Sequence, residues 1–137
     1  MPVPEIPERG LLDMSVVVDL EEMDPAELPR QLAISALTLA ELAAGPHVAT
    51  DPVERARRQD RLQRTEAAFD CLPFDSRAAR AYGLVYAAVA SEGRKARGGR
   101  AVDLLIAATA RAEGVPLITR NPSDFVGLDG VVDVIAV

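Results

Sequence analysis

Short apolar runs alternate with longer stretches of helical periodicity along most of the 137-residue chain. Residues 2–9 interleave three prolines with charged residues and read as an unstructured lead-in (residues 1–9), so one folded domain is expected from residue 10 to residue 137. Gly10-Leu11-Leu12-Asp13 reads as a short buried strand, and the apolar-rich stretch from Ser15 to Glu22 as the helix after it, ended by Asp24, Pro25 and Pro29. Ala33 to Ser35 is expected to form a second strand, leading into a helix from Leu39 to Ala44 that Gly45-Pro46 stops. A long polar helix from Val53 to Phe69 follows, with Pro52 where a first-turn proline is tolerated. Leu72-Pro73-Phe74 reads as a further short strand.

Asp75 or Ser76 caps a helix in which Ala78, Tyr82, Val85 and Val89 recur at helical spacing and form one apolar stripe. Tyr82 and Tyr86 read as packing residues of that helix. Gly93 to Gly99 reads as a basic loop, Ala101 to Ala112 as an Ala-rich helix closed by Gly114, Val115 to Thr119 as a buried strand and Val131 to Val137 as the last strand. This alternation predicts an α/β fold: a three-layer α/β/α sandwich around a central, mainly parallel sheet of four to five strands. Ligands of such sheets bind beyond the carboxyl ends of the strands, an edge that Asp13 and Thr119 should both reach.

Composition narrows the picture. Apolar residues make up 49% of the chain, enough for one continuous core, but aromatics only 4%, so Ala, Val, Leu and Ile must fill it. The single Cys71 has no partner for an internal disulfide and reads as a core residue. The opening MPVPEIPERG lacks the apolar centre of a secretory signal, and no apolar run approaches the roughly 20 residues of a membrane span. A cytoplasmic protein without a membrane anchor is the expectation. The net charge of −6 excludes a protein that coats nucleic acid by bulk attraction, so any such contact must be local. Two basic clusters stand out, Arg94, Lys95, Arg97 and Arg100, and Arg55, Arg57, Arg58, Arg61 and Arg64; each is either solvated helix surface or a phosphate contact. The only histidine, His47, excludes a two-histidine ribonuclease mechanism, and no Gly-rich phosphate loop follows any strand.

Three carboxylates stand at the starts of elements that lead away from the expected binding edge: Asp13, Glu41 and Asp103. Hard divalent cations such as Mg²⁺ and Mn²⁺ take oxygen ligands, and a cation held by converging acids polarises a phosphodiester. Each acid also has an ordinary reading. Asp13 caps the next helix, Glu41 closes a capping box with Thr38, and Asp103 complements the dipole of a first turn.

The stretches LLDMSVVVDL, SALTLAEL, AVDLLIAATARAEGVPLITRNPSDF and VVDVIAV resemble, in that order and from about residue 10 to the end, the motifs of PIN-domain proteins of the VapC toxin group. The resemblance implies an acidic pocket binding Mg²⁺ or Mn²⁺, endonucleolytic cleavage of RNA, a homodimer, and inhibition by a cognate antitoxin protein. It carries Asp13, Glu41 and Asp103 over as the metal-binding acids. The chain departs from the family pattern twice. Met14 follows the first acid where a small hydroxyl residue is usual, leaving Ser15 to supply the hydroxyl. In Thr119-Arg120-Asn121 an amide stands where relatives place a fourth acid, so either Asn121 or Asp124 completes the site. Asp124 alternatively serves as a turn residue of Asn-Pro-Ser-Asp. Arg100, Arg97 and Arg94 are the expected contacts to substrate phosphates. The alternative is a PIN-like module that binds RNA or protein with weak or no catalysis. The antitoxin would need an apolar groove, which the Ser15–Glu22 helix and the one near Leu39 are placed to supply.

Overall fold

The computed structural model describes residues 6–93 and 99–137. Its strands and helices, in chain order, are β1 (Arg9–Leu12), α1 (Met14–Asp19), β2 (Gln31–Ser35), α2 (Ala36–Val48), α3 (Pro52–Ala68), β3 (Asp70–Leu72), α4 (Ser76–Ser91), α5 (Gly99–Glu113), β4 (Leu117–Thr119) and β5 (Val134–Ala136). The strands form one five-stranded sheet in the order β3-β2-β1-β4-β5, and every pairing is parallel. The chain winds outward from β1 to β3 on one side, then crosses back to place β4 on the other side of β1. The strand order therefore reverses between β1 and β4, and a crevice opens beyond their carboxyl ends.

Successive strand residues face opposite sides, so Leu11 and Leu117 enter the core beneath α4 and α5, while Leu12 and Ile118 enter the one beneath α1 and α2. All four are fully buried, and each burial contributes about 1.5–3 kcal/mol. The expected three-layer sandwich is therefore present. On α5, Ala107, Ala108 and Ala110 are fully buried beside Leu104 and Ile106, small side chains that let the helix sit close on the sheet. Its end is a left-handed Gly114 (φ +66°), with Gly114 N–H donating to Arg111 and Val115 N–H to Ala110, a Schellman closure. Gly10 meets a different demand, since a Cβ there would stand 2.7 Å from Ile118 Cγ1 and 2.9 Å from Pro29 Cγ.

Several boundaries differ from expectation for identifiable reasons. The α2 helix starts at Ala36 because Ser35, the last residue of β2, is its cap, its hydroxyl accepting Thr38 N–H at 3.1 Å. Gly45-Pro46 does not stop it. Pro46 removes only one donor, in the last turn, and the Gly45 carbonyl is taken by Ala49 N–H and by Arg58 Nη1 at 3.0 Å. The first helix ends at Asp19 and tightens into a 3₁₀ turn, Leu20–Glu22. The third strand is Asp70–Leu72, not 72–74, which puts Cys71 on an edge strand with its side chain exposed, not in the core. Tyr82 packs against the core as expected, but Tyr86 is exposed and tilted against it, ring centres 6.1 Å apart. Residues 94–98 of the expected basic loop, Arg94 and Arg97 included, lie outside the described residues.

Candidate active site

Asp13 follows β1 directly. Its N–H donates to the Ile118 carbonyl at 3.1 Å, extending the ladder to β4 by one residue, and its extended backbone (φ −85°, ψ 175°) turns the chain into α1. The carboxylate accepts Val16 N–H at 3.4 Å, so the helix-cap reading of Asp13 holds as far as it goes. The same carboxylate also receives two hydroxyls: Ser15 Oγ on one oxygen and, at 2.7 Å, Thr119 Oγ1 on the other. Each hydroxyl is itself held, Ser15 by accepting Arg120 N–H at 3.0 Å and Thr119 by accepting Asn121 N–H at 2.9 Å. Asp13 is only 5% exposed and Thr119 not at all. Hydrogen bonds to a charged group contribute about 1.5–3 kcal/mol each, so this knot pins the start of α1 to the end of β4 across the crevice. The Arg120 side chain adds a tie, Nη1 donating to Asp19 at 3.0 Å. The sequence reading gave Arg120 no role of its own; its place after a buried Thr at a strand end was the available signal.

The ordinary readings of the other two acids fail. With Ser35 as the cap of α2, no box joins Thr38 to Glu41, and Glu41 stands well inside the helix. Asp103 is the fifth residue of α5, past the first turn. Partial burial, reinforced by the Asp13 charge, pushes the Glu41 carboxyl above the usual range. The effect is larger at Asp103, whose pKa rises to about 6. Burial is the main cause, followed by the charges of Asp124, Asp13 and Glu41, while Arg100 opposes them. The charges of three acids from separate places in the chain therefore act on Asp103, and that of Asp13 acts on Glu41 as well.

Asp124 is half-buried in a 3₁₀ turn, Pro122–Phe125. Its backbone N–H donates to the Asn121 carbonyl at 3.0 Å. Asn121 precedes this turn, is exposed, and makes no side-chain cap bond. Arg100, half-buried at the start of α5, keeps Nε and Nη2 out of solvent with no hydrogen-bond partner among the described residues. Among those residues, no three His, Cys, Asp or Glu side chains already stand close enough to ligate one ion directly. The donor set is nevertheless all oxygen and all anionic, and its mutual repulsion is what a divalent cation relieves. Mg²⁺ keeps several waters and binds through few carboxylates, which suits acids spaced too widely for a bare ion.

A parallel α/β sheet with one buried and three further acids around its strand-order reversal is the arrangement this chain presents. The PIN-domain model matches residues 11–129, and the chain belongs to that family. It is 37% identical over 131 residues to ribonuclease VapC5 of Mycobacterium tuberculosis, covering 93% of each protein. Its fold is similar to a crystal structure of a member of the VapBC family of toxin-antitoxin systems, VapBC-5, from the same organism, with TM-score 0.83, 37% identity and coverage of 96% of this chain and 100% of that one. The fold also matches VapBC2 of Rickettsia felis, a structure bound to a promoter DNA fragment, with TM-score 0.74, 23% identity and coverage of 92% and 96%. The chain is thus a homologue of the VapC ribonucleases.

Proposed function

We propose that this protein is a cytoplasmic, divalent-metal-dependent endoribonuclease, the toxin of a toxin-antitoxin pair. The observation that carries the reading is Asp103, drawn half out of water within reach of the charges of Asp124, Asp13 and Glu41, which together with its burial raise its pKa to about 6. Asp13, Glu41 and Asp103 would hold Mg²⁺ or Mn²⁺, with Asp124 completing the charge where Asn121 cannot. The bound cation supplies charge neutralisation and Lewis acidity toward a phosphodiester. The protein's own part is positional. Ser15 and Thr119 orient both oxygens of Asp13, and Arg100, beside the acids with unpartnered guanidinium nitrogens, meets a phosphate of the substrate; Arg97 and Arg94 are proposed to extend that contact. Asp124 beside Asp103 favours this over a catalytically silent binding module, for which the uncharged Asn121 would argue.

Two partners accompany the reading. A cognate antitoxin would use the grooves along α1: one of about 370 Å³ shared with α3, another of about 240 Å³ shared with α2 and α3, with exposed Val18 lining both. A homodimer would cover α4, where Leu84 and Tyr86 are 53% and 51% exposed. No helix among the described residues is long and apolar enough to cross a membrane.

The test is cleavage of labelled RNA by purified protein with Mg²⁺ or Mn²⁺ against EDTA, with Asp13→Ala as the control for contaminating nuclease. Divalent-dependent products that vanish in the variant are expected. Equal inertness of wild type and variant across RNAs would overturn the reading.

A further inference from the structure

Helix α3 carries five arginines, and four of them are engaged. Arg55 donates to the Ala49 carbonyl, Arg57 and Arg58 pair with Glu54, and Arg64 pairs with Glu21 and Asp60. The fifth, Arg61, makes no side-chain hydrogen bond or ion pair among the described residues, although it is half-buried. It lies on the wall common to both grooves along α1. The smaller of these is also lined by Glu41, with which Arg61 makes no ion pair, while Glu54 in the same groove is taken by Arg57 and Arg58. In the larger groove, Glu21 and Asp60 are both taken by Arg64, leaving the charge of Arg61 uncompensated.

The acids lie at the sheet edge between two helical layers, and among the described residues each layer brings a half-buried guanidinium without a partner near them: Arg100 one turn before Asp103, and Arg61 in the groove that Glu41 also lines. A protein with a net charge of −6 can hold a polyanion only through such local cations. We propose that Arg61 is a substrate-binding residue that grips a backbone phosphate of single-stranded RNA on the Glu41 side of the cut, opposite the flank held by Arg100. This rests on the ribonuclease reading. The smaller groove, which Arg61 shares with Glu41 and which Arg57 does not line, then serves as the exit or entry track of the strand.

The test is RNA binding followed by fluorescence anisotropy in EDTA across a salt series, for wild type, Arg61→Gln, Arg61→Lys and Arg57→Gln. Arg57→Gln removes the same charge from the same helix at a position already paired with Glu54, and so controls for bulk electrostatics. Arg61→Gln should weaken binding several-fold and reduce the slope of log K against log salt by about 0.7, the value for one phosphate of a single strand. Arg57→Gln should do neither, and Arg61→Lys should restore most of the slope. Melting curves matching wild type show that the fold is intact. An unchanged slope in Arg61→Gln overturns the proposal, as does an equal loss in Arg57→Gln. If Arg61→Gln leaves RNA binding intact but abolishes capture of an antitoxin, the residue belongs to a protein interface and the proposal fails. Parallel cleavage assays with Mg²⁺ separate the two levels: RNA binding through Arg61 without any cutting would refute the nuclease and leave the contact standing.

Discussion

Replacing Thr119 by Val tests the knot around Asp13 most directly, because it removes a hydroxyl and almost nothing else. Thr119 is fully buried, and its hydroxyl donates to Asp13 at 2.7 Å while accepting Asn121 N–H. Val keeps the volume but leaves a buried carboxylate one donor short, a loss of about 2 kcal/mol for a hydrogen bond to a charged group. An unfolding entropy of roughly 2.1 cal/mol/K per residue amounts to about 0.29 kcal/mol/K for this chain, so the expected fall in Tm is about 7 °C. Thr119→Ser inverts the experiment. It keeps the donor and loses one methyl, about 1 kcal/mol and so about half that shift. RNA cleavage should split the other way from simple packing. Thr119→Val should lose about 10- to 100-fold, as outer partners of metal-binding acids typically do, while Thr119→Ser stays near wild type. In an Asp13→Asn background the Val substitution should cost at least about 1 kcal/mol less, since the charge that made the bond strong is gone. Differential scanning calorimetry and initial cleavage rates measure both effects. If Thr119→Val melts within about 1 °C of wild type, or if Val and Ser lose equal activity, the hydroxyl does not position Asp13.

Asp124→Asn should reduce divalent-dependent cleavage by about 10- to 100-fold while Asn121→Ala changes it little, and the reverse ranking would assign the fourth position to Asn121. The pH dependence has a definite sign. Folded Asp103 ionises near pH 6 against its ordinary 3.8, so between those values the folded chain holds a proton that the unfolded chain has released. Metal-free stability should therefore fall as pH rises from about 4 to 6, by about 1 kcal/mol once the full shift is discounted for solvent screening at this half-exposed site. Saturating Mg²⁺ should abolish this slope, and metal affinity should climb through the same range because binding displaces the proton; a pH-independent affinity would show that Asp103 is not involved. Gly10→Ala should lose about 1–3 kcal/mol in urea unfolding, because its Cβ would collide with Ile118 and Pro29; a neutral result would mean that the contact relaxes freely.

The layered fold was legible because its signals are local. Leu11 and Leu12 announce a strand with two buried faces, and Asp75 and Pro52 stand where a cap and a first-turn proline belong. What sequence reasoning misjudged depended on neighbours distant in the chain. Thr38-Leu-Ala-Glu41 is a well-formed capping box on its own, but Ser35 ends β2 and so fixes the start of α2 three residues earlier. Gly45-Pro46 is a strong stop signal until Arg58, from α3, and Ala49 take up the Gly45 carbonyl. Cys71 has the composition of a core residue, yet β3 lies at the edge of the sheet, and edge position is a property of the whole topology. The acids were the hardest case, since each had an ordinary local role and only their convergence separates the two readings.

The two departures from the family pattern each have a neighbour of the required chemistry in the structure. Asp124 stands three residues after Asn121, its N–H bonded to the Asn121 carbonyl across the opening of the 3₁₀ turn. Asn121 is exposed, whereas Asp124 is half-buried and its charge acts on Asp103, so of the two it is the acid at 124 that reaches the site's field. The exchange at the other end follows the same logic. Met14 opens α1 and packs against the core beside Leu12 and Val16, while Ser15, one residue later, turns its hydroxyl to Asp13. A helix start holds its first two side chains about 100° apart, so one of them can serve the core while the other serves the carboxylate. Both exchanges leave the required group one to three residues from its usual place: a hydroxyl at Ser15, which bonds Asp13, and a carboxylate at Asp124, proposed to stand in for the acid absent at Asn121.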